Sequence, residues 1–209
     1  MKNTEKQRKK VILDRSYPYE ELLMILKPEE APSEKNEIPE GFRLARPEEI
    51  SGLKNQWTAL MMKLGFPFSE EESEEFFDQM LNSDLEFFVH HFYALLDSEG
   101  QLASVVGLWP GKHFDQALRI HWMMSDPDYQ SKGLARTIMK LAIADYFREY
   151  PDRELYLSTQ AQSWPAIRMY EKLGFRSFED DCNVSSKEEN QSRWANARRA
   201  VMEKEGVQI

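Results

Sequence analysis

The run from His121 to Arg136, His-Trp-Met-Met-Ser-Asp-Pro-Asp-Tyr-Gln-Ser-Lys-Gly-Leu-Ala-Arg, has the residue types of an anion site. It begins as an apolar strand, breaks at Asp126-Pro127-Asp128 and enters a helix near Gly133. The first-turn amides of a helix have no intrahelical partner, and the helix dipole places partial positive charge on them. Gly133 lacks a Cβ and lets a ligand approach the backbone. Lys132 adds a point charge suited to phosphate. With one glycine the run matches neither the P-loop nor the Gly-x-Gly-x-x-Gly fingerprint, and the competing reading is an ordinary strand-to-helix turn.

The elements around this run follow from periodicity. Residues 21–27 are a short apolar stretch that suits an edge strand or a helical turn, and 28–40, with three prolines among acids, reads as a linker. Phe42 to Arg46 alternates and should be the first strand of the main sheet. Pro47 to Leu64 places Ile50, Leu53, Trp57, Leu60, Met61 and Leu64 on one helical face, and Gly65 stops it. Ser69 opens a second helix, with Glu72 placed for a capping box. Glu70, Glu71, Glu72, Glu74 and Glu75 form an acidic cluster: either a solvated first turn or a rim that attracts a cationic amine. Phe87 to Leu96 and Leu102 to Trp109 read as two strands joined by the turn 97–100. Their continuous hydrophobicity implies that both sheet faces are covered. Next come a strand over 117–125, a helix over 133–150, a strand over 155–158, a helix over 165–173 with Gly174 after it, and a strand over 175–178. The polar tail carries a helix over 187–204, anchored by Trp194 and Val201. The pattern is that of a mixed α/β sheet.

A second chemistry-bearing stretch, Ser163-Trp-Pro-Ala-Ile-Arg-Met-Tyr-Glu-Lys-Leu-Gly-Phe175, follows the first. Gln130-Ser131-Lys132-Gly133-Leu134-Ala135 resembles the Gln/Arg-x-x-Gly-x-Gly/Ala signature of the GCN5-related N-acetyltransferase (GNAT) superfamily. The second stretch resembles that family's Asn-x-x-Ala-x-x-x-Tyr-x-x-x-Gly-Phe. The resemblance covers roughly residues 40 to 180, and both motifs occur in the family's order. Ser163 stands where the family usually has asparagine, and Ala135 where glycine is commoner.

The resemblance implies a mixed, mostly antiparallel sheet with helices on both faces. Two central parallel strands, here 117–125 and 155–158, splay to admit acetyl-CoA as acyl donor. The pyrophosphate would then lie on the amides of Gln130, Ser131, Lys132, Gly133, Leu134 and Ala135, with charge from Lys132 or Arg136. The pantetheine arm would pair with Met123, Met124 and Ser125, and Ser163 and Ala166 would complete the cofactor side. Tyr170 matches the family's proton donor to the leaving thiolate; its alternative role is a half-buried aromatic on the face of residues 166–173. His121 is the candidate base, since its ordinary pKa lies near neutrality. A hydrogen-bonded strand histidine is the alternative, and Arg119 stands where some members carry a carboxylate. The implied function is direct transfer of acetyl to an amine on a small molecule or protein. A non-catalytic acyl-CoA-binding regulatory module is the other reading.

Composition bounds these expectations. The chain has 209 residues, 41% hydrophobic and 30% charged, which suits one core-bearing domain. The organisation read here is an extension and linker over 1–40, an acetyltransferase domain over 41–180 and a helical tail over 181–209. The net charge of -9 argues against nucleic acid as a partner. Neither a signal peptide nor an apolar run of membrane-spanning length is present, and a cytoplasmic protein without membrane attachment is expected. Cys182 is the single cysteine, which excludes an internal disulfide, and no local histidine makes it a nucleophile. His90 and His91, as strand neighbours, would face opposite sides, and His113 would sit exposed in a loop, so no metal is expected. The Lys-rich opening (Lys2, Lys6, Arg8, Lys9, Lys10) reads as a solvated terminus. Monomer and homodimer both remain open.

Overall fold

The computed structural model describes residues 13–33 and 37–205; the Lys-rich opening lies outside these. Seven strands form one sheet in the order β2-β3-β4-β5-β6-β1-β7. Their ranges are β1 Glu21–Leu26, β2 Arg43–Ala45, β3 Phe92–Leu96, β4 Leu102–Pro110, β5 Leu118–Ser125, β6 Leu155–Gln160 and β7 Arg176–Ser177. Every neighbouring pair is antiparallel except β5 and β6, which run parallel. Among the described residues no helix is long and apolar enough to cross a membrane.

Strand alternation sorts side chains into two cores. Phe92, Ala94 and Leu96 face α1 (Leu53–Leu64), α2 (Glu70–Ser83) and α3 (Leu85–His91), where Trp57, Met61 and Phe88 are buried. Tyr93 and Leu95 face the other way, into a core shared with α4 (Leu134–Glu149), α5 (Trp164–Lys172) and α6 (Lys187–Glu205). The expected capping box at Ser69 forms: Glu72 N–H donates to Ser69 Oγ at 3.1 Å, and Ser69 N–H donates to Glu72 at 2.7 Å. Gly65 closes α1 at φ 71°. Gly174 is fixed by φ 95° and by space, because a Cβ there would lie 2.3 Å from the Glu30 carbonyl oxygen.

Three departures from the sequence reading have physical causes. The stretch read as a strand over 87–96 is helical up to His91 and a strand only from Phe92. Asp84 caps that helix by accepting the Phe87 N–H at 2.9 Å, and Phe88 packs on Phe77 with ring centroids 5.6 Å apart. Burial under α2 overrides the β preference of the aromatics. The helix read from Pro47 begins only at Leu53, after a 3₁₀ turn over 47–49 and a left-handed Gly52 at φ 62°. Residues 21–26 form an interior strand, not an edge: β1 runs antiparallel to β6 along its whole length and carries β7 on its other side. The Trp194 indole N–H of α6 donates to the Leu23 carbonyl at 3.1 Å, so the tail helix is bolted to β1.

Candidate active site

β5 and β6 pair only at Arg119–Tyr156 and Ile120–Leu157, then diverge. The opening is a cleft of about 420 Å³. Its walls bring together nine residues singled out from sequence: His121, Met123, Met124, Ser125, Gln130, Ala135, Ser163, Ala166 and Tyr170. β5 also carries a bulge. Val105 faces Met124 and Gly107 faces His121, so Trp122 and Met123 both stand against Val106 alone, and Trp122 adopts φ 51°. A bulge interrupts the ladder and turns backbone groups away from the neighbouring strand. It lies at the strand mouth where backbone amides were expected to meet a ligand.

The loop after β5 is held from both sides. Asp126 accepts the Asp128 N–H at 2.8 Å, while its own N–H donates to the Ala103 carbonyl at 2.9 Å. Two carboxylates beside an anion site would repel the ligand. The Lys63 ammonium of α1 sits 2.6 Å from both Asp126 and Asp128 and offsets them. Ser131 and Gly133 take left-handed φ values of 68° and 81°, and α4 then starts at Leu134 with neither a capping side chain nor an acid in its first turn. An added Cβ on Gly133 would meet nothing within 4 Å, so this helix end opens into free space. Gln130 and Ala135 line the cleft, whereas Leu134 is buried in the core. Ser131, Lys132, Gly133 and Arg136 are not among the lining residues. The Lys132 ammonium lies over the Phe42 and Tyr129 rings, at 5.1 and 5.4 Å from their centroids. Those cation–π contacts direct it to the aromatic pair.

Tyr170 is 8% exposed. Burial pushes its phenol up to about 12, so it stays protonated across the physiological range. It packs against Phe175 with centroids 6.1 Å apart. His121 is the first residue of β5 past the last β6 pair. Burial, then the neighbouring positive charge of Arg119, holds its imidazole well below the usual histidine range, and it is neutral at pH 7. Ser163 Oγ accepts from the Gln160 side-chain amide at 2.9 Å.

Several lining residues were not singled out for the site from sequence: Leu64 at the end of α1 and Phe66 just after it, Trp122 on β5, and Ser158 and Gln160 on β6; Arg119, noted only as standing where some members carry a carboxylate, lines the cleft as well. Only the helix-stopping Gly65 marked the first of these segments. Two histidine assignments are corrected. His113 is 1% exposed, not open to solvent, because Glu21 sits 3.3 Å from its Nε2 and Tyr156 packs against its ring. His113 Nδ1 also lies 4.0 Å from Cys182 Sγ, supplying through the fold the histidine neighbour that local sequence lacks. His90 and His91 lie on α3, with His91 Nδ1 3.0 Å from the Phe87 carbonyl. The acidic residues of α2 do not line the cleft, and Glu74 is 3.5 Å from Lys54. Among the described residues no group of three or more His, Cys, Asp or Glu could hold a metal ion.

Known proteins give this geometry a context. An N-alpha-acetyltransferase of Saccharolobus solfataricus is 35% identical over 49 residues, which is 23% of this chain and 29% of that protein. A spermidine N(1)-acetyltransferase of Escherichia coli is 33% identical over 81 residues, 39% of this chain and 43% of that protein. The matches thus span less than half of these relatives. A GCN5-related N-acetyltransferase from Sphaerobacter thermophilus shares the fold, with a TM-score of 0.56 at 18% identity over 78% of this chain and 51% of that one. Residues 54–175, more than half of the chain and including the loop, the bulged strand and Tyr170, match the Acetyltransferase (GNAT) family, and the chain belongs to that family.

Proposed function

We propose that this chain is an acetyl-CoA-dependent N-acetyltransferase that transfers acetyl directly to an amine. The observation that carries the reading is the cleft between β5 and β6, because it joins an uncapped helix N-terminus to a buried phenol and a neutral imidazole. The residues fit acetyl-CoA: Gly133 faces open space, the α4 amides are without a capping side chain, and the β5 bulge frees backbone beside Met123 and Met124. Gln130, Ala135, Ser163 and Ala166 would form the walls. When bound, acetyl-CoA supplies an activated thioester carbonyl.

The protein's own groups then have two tasks. Neutral His121 accepts a proton from an arriving ammonium, directly or through water, and its low pKa makes it pass that proton on rather than keep it. Tyr170 holds a proton for the departing sulfur. A donor near 12 is mismatched to a thiol in water, near 8.5. The burial that raises the phenol raises a thiol beside it as well, which narrows the gap. The test is thiol release from acetyl-CoA with a panel of amines. Amine-dependent release is expected. A rise in melting temperature with acetyl-CoA but no release with any amine would leave a binding module instead.

A further inference from the structure

Resting on the N-acetyltransferase reading, we infer that the acceptor is an apolar α-amino acid and that Arg119 binds its carboxylate. Arg119 sits at the closed end of the cleft, where β5 and β6 are still paired. Only Ile120 separates it from His121 on the same strand, so the two side chains share a face. That is the face of Tyr156 and Ser158, opposite to the one carrying Ile120 and Leu157 into the α4 core. The anion-binding loop begins at the other end of β5, about 20 Å from Arg119 at the usual rise per residue. The guanidinium is therefore placed for the acceptor and not for the pyrophosphate.

Among the described residues the charge has no counterion. Nη1 donates to the neutral Ser158 hydroxyl at 3.2 Å, and Nε is buried without a hydrogen-bond partner. No carboxylate among the described residues pairs with Arg119. Glu21, the acid in this neighbourhood, is taken by Lys112 at 2.8 Å and His113 at 3.3 Å. These two contacts hold its carboxyl below the usual range, against the burial that would raise it. The back of the guanidinium is fixed against Gly111, where a Cβ would lie 3.0 Å from Nε and 1.8 Å from the Tyr156 hydroxyl. A half-desolvated guanidinium with one neutral partner gains most from an oxyanion that accepts two of its N–H groups. The wall beside it is apolar: Leu64, Phe66 and Trp122 line the same cleft, with the Phe66 and Trp122 rings 6.3 Å apart. An amine at His121, a carboxylate at Arg119 and an apolar side chain on Phe66 and Trp122 describe one small molecule. The same positive charge opposes a polyamine.

The test uses acetyl-CoA with leucine, phenylalanine and tryptophan, each against its carboxamide and its decarboxylated amine, plus spermidine. Wild-type protein should acetylate at least one free acid with kcat/KM ~10²-fold above its amide, because a site built around a polar group rejects the analogue that lacks its partner. Arg119→Gln should collapse that preference to within about threefold, chiefly through KM, and keep the melting-temperature rise with acetyl-CoA; Arg119→Lys should fall between. Amides, decarboxylated amines or spermidine acetylated as well as the acids would overturn the inference, as would an intact preference in Arg119→Gln. So would no turnover of any acid while acetyl-CoA still raises the melting temperature. Absence of that rise in wild-type protein would instead sink the N-acetyltransferase reading, and this inference with it.

Discussion

The end of the cleft beside α4 is shaped by backbone conformation, and the end beside α1 by large side chains from distant segments. On the α4 side a strand bulge lies beside an uncapped helix start, which follows two left-handed residues, Ser131 and Gly133, set outside the lining, while Leu134, Ile138 and Met139 behind them fill the core. On the α1 side, Phe66, Trp122, Arg119 and Ser158 come from three distant segments and meet only in the folded protein. A backbone site tolerates change in side chains but not in backbone conformation. A side-chain site has the opposite sensitivity.

That contrast can be broken by mutation. The largest effect is expected at Gly133→Glu, which puts a β-carbon at φ 81° and a carboxylate at the helix N-terminus. The rise in melting temperature with acetyl-CoA should vanish, and a retained rise would show that the α4 end is not the anion site. Tyr170→Phe should lower kcat by ~10²-fold with acetyl-CoA affinity unchanged, read by thiol release and calorimetry on one preparation. Phe66→Ala should raise the acceptor KM by ~10-fold, the worth of about 1.4 kcal/mol of apolar contact, and leave acetyl-CoA affinity alone. If it weakens acetyl-CoA instead, the two halves are not separate.

His121→Gln tests the imidazole in two ways. Its turnover deficit should be greatest near neutrality and shrink at high pH, where the amine is already neutral. Stability supplies the second readout. The folded imidazole resists protonation, while the unfolded one takes a proton below about pH 6.5. The unfolded state therefore binds more protons, and wild-type stability falls as pH drops through that range. The variant should lose less over the same interval in denaturant titrations. The smallest effect belongs to Lys132→Ala: with its ammonium over Phe42 and Tyr129, acetyl-CoA affinity should change less than about threefold, the low end for a surface charge.

The same contrast explains what the sequence disclosed. The strand-to-helix break and Gly133 mark the loop from Gln130 to Ala135 locally, and only the resemblance of 163–175 to a family motif pointed to Tyr170; both stretches reach the cleft. Phe66 and Ser158 carry no local mark, and Arg119 was noted only for the carboxylate it replaces, because their meaning comes from β5, the end of α1 and β6 lying side by side. The fold class and the splayed pair followed from motif order. The helix at Leu85–His91 did not, since Phe87, Phe88 and Val89 favour strands until α2 covers them. His113 looked exposed because its loop is polar, yet Glu21, ninety-two positions earlier, draws it inward.

The place of β1 sets a timetable for the chain. This strand is synthesised early, but its two sheet neighbours, β6 and β7, lie more than 125 positions later, and Trp194, which bonds to Leu23, later still. A contact of such separation pays a large loop-closure cost before it returns any stability, and topologies rich in them fold slowly. β2 to β5 and α4 can assemble as a nascent unit. Its free β5 margin gains β6, and hence the second cleft wall, only when the last third of the chain returns with β1 already in hand. Completion of the cleft therefore waits for the last third of the chain, and a chain interrupted after α4 would carry the whole loop from Gln130 to Ala135 without a cleft beside it.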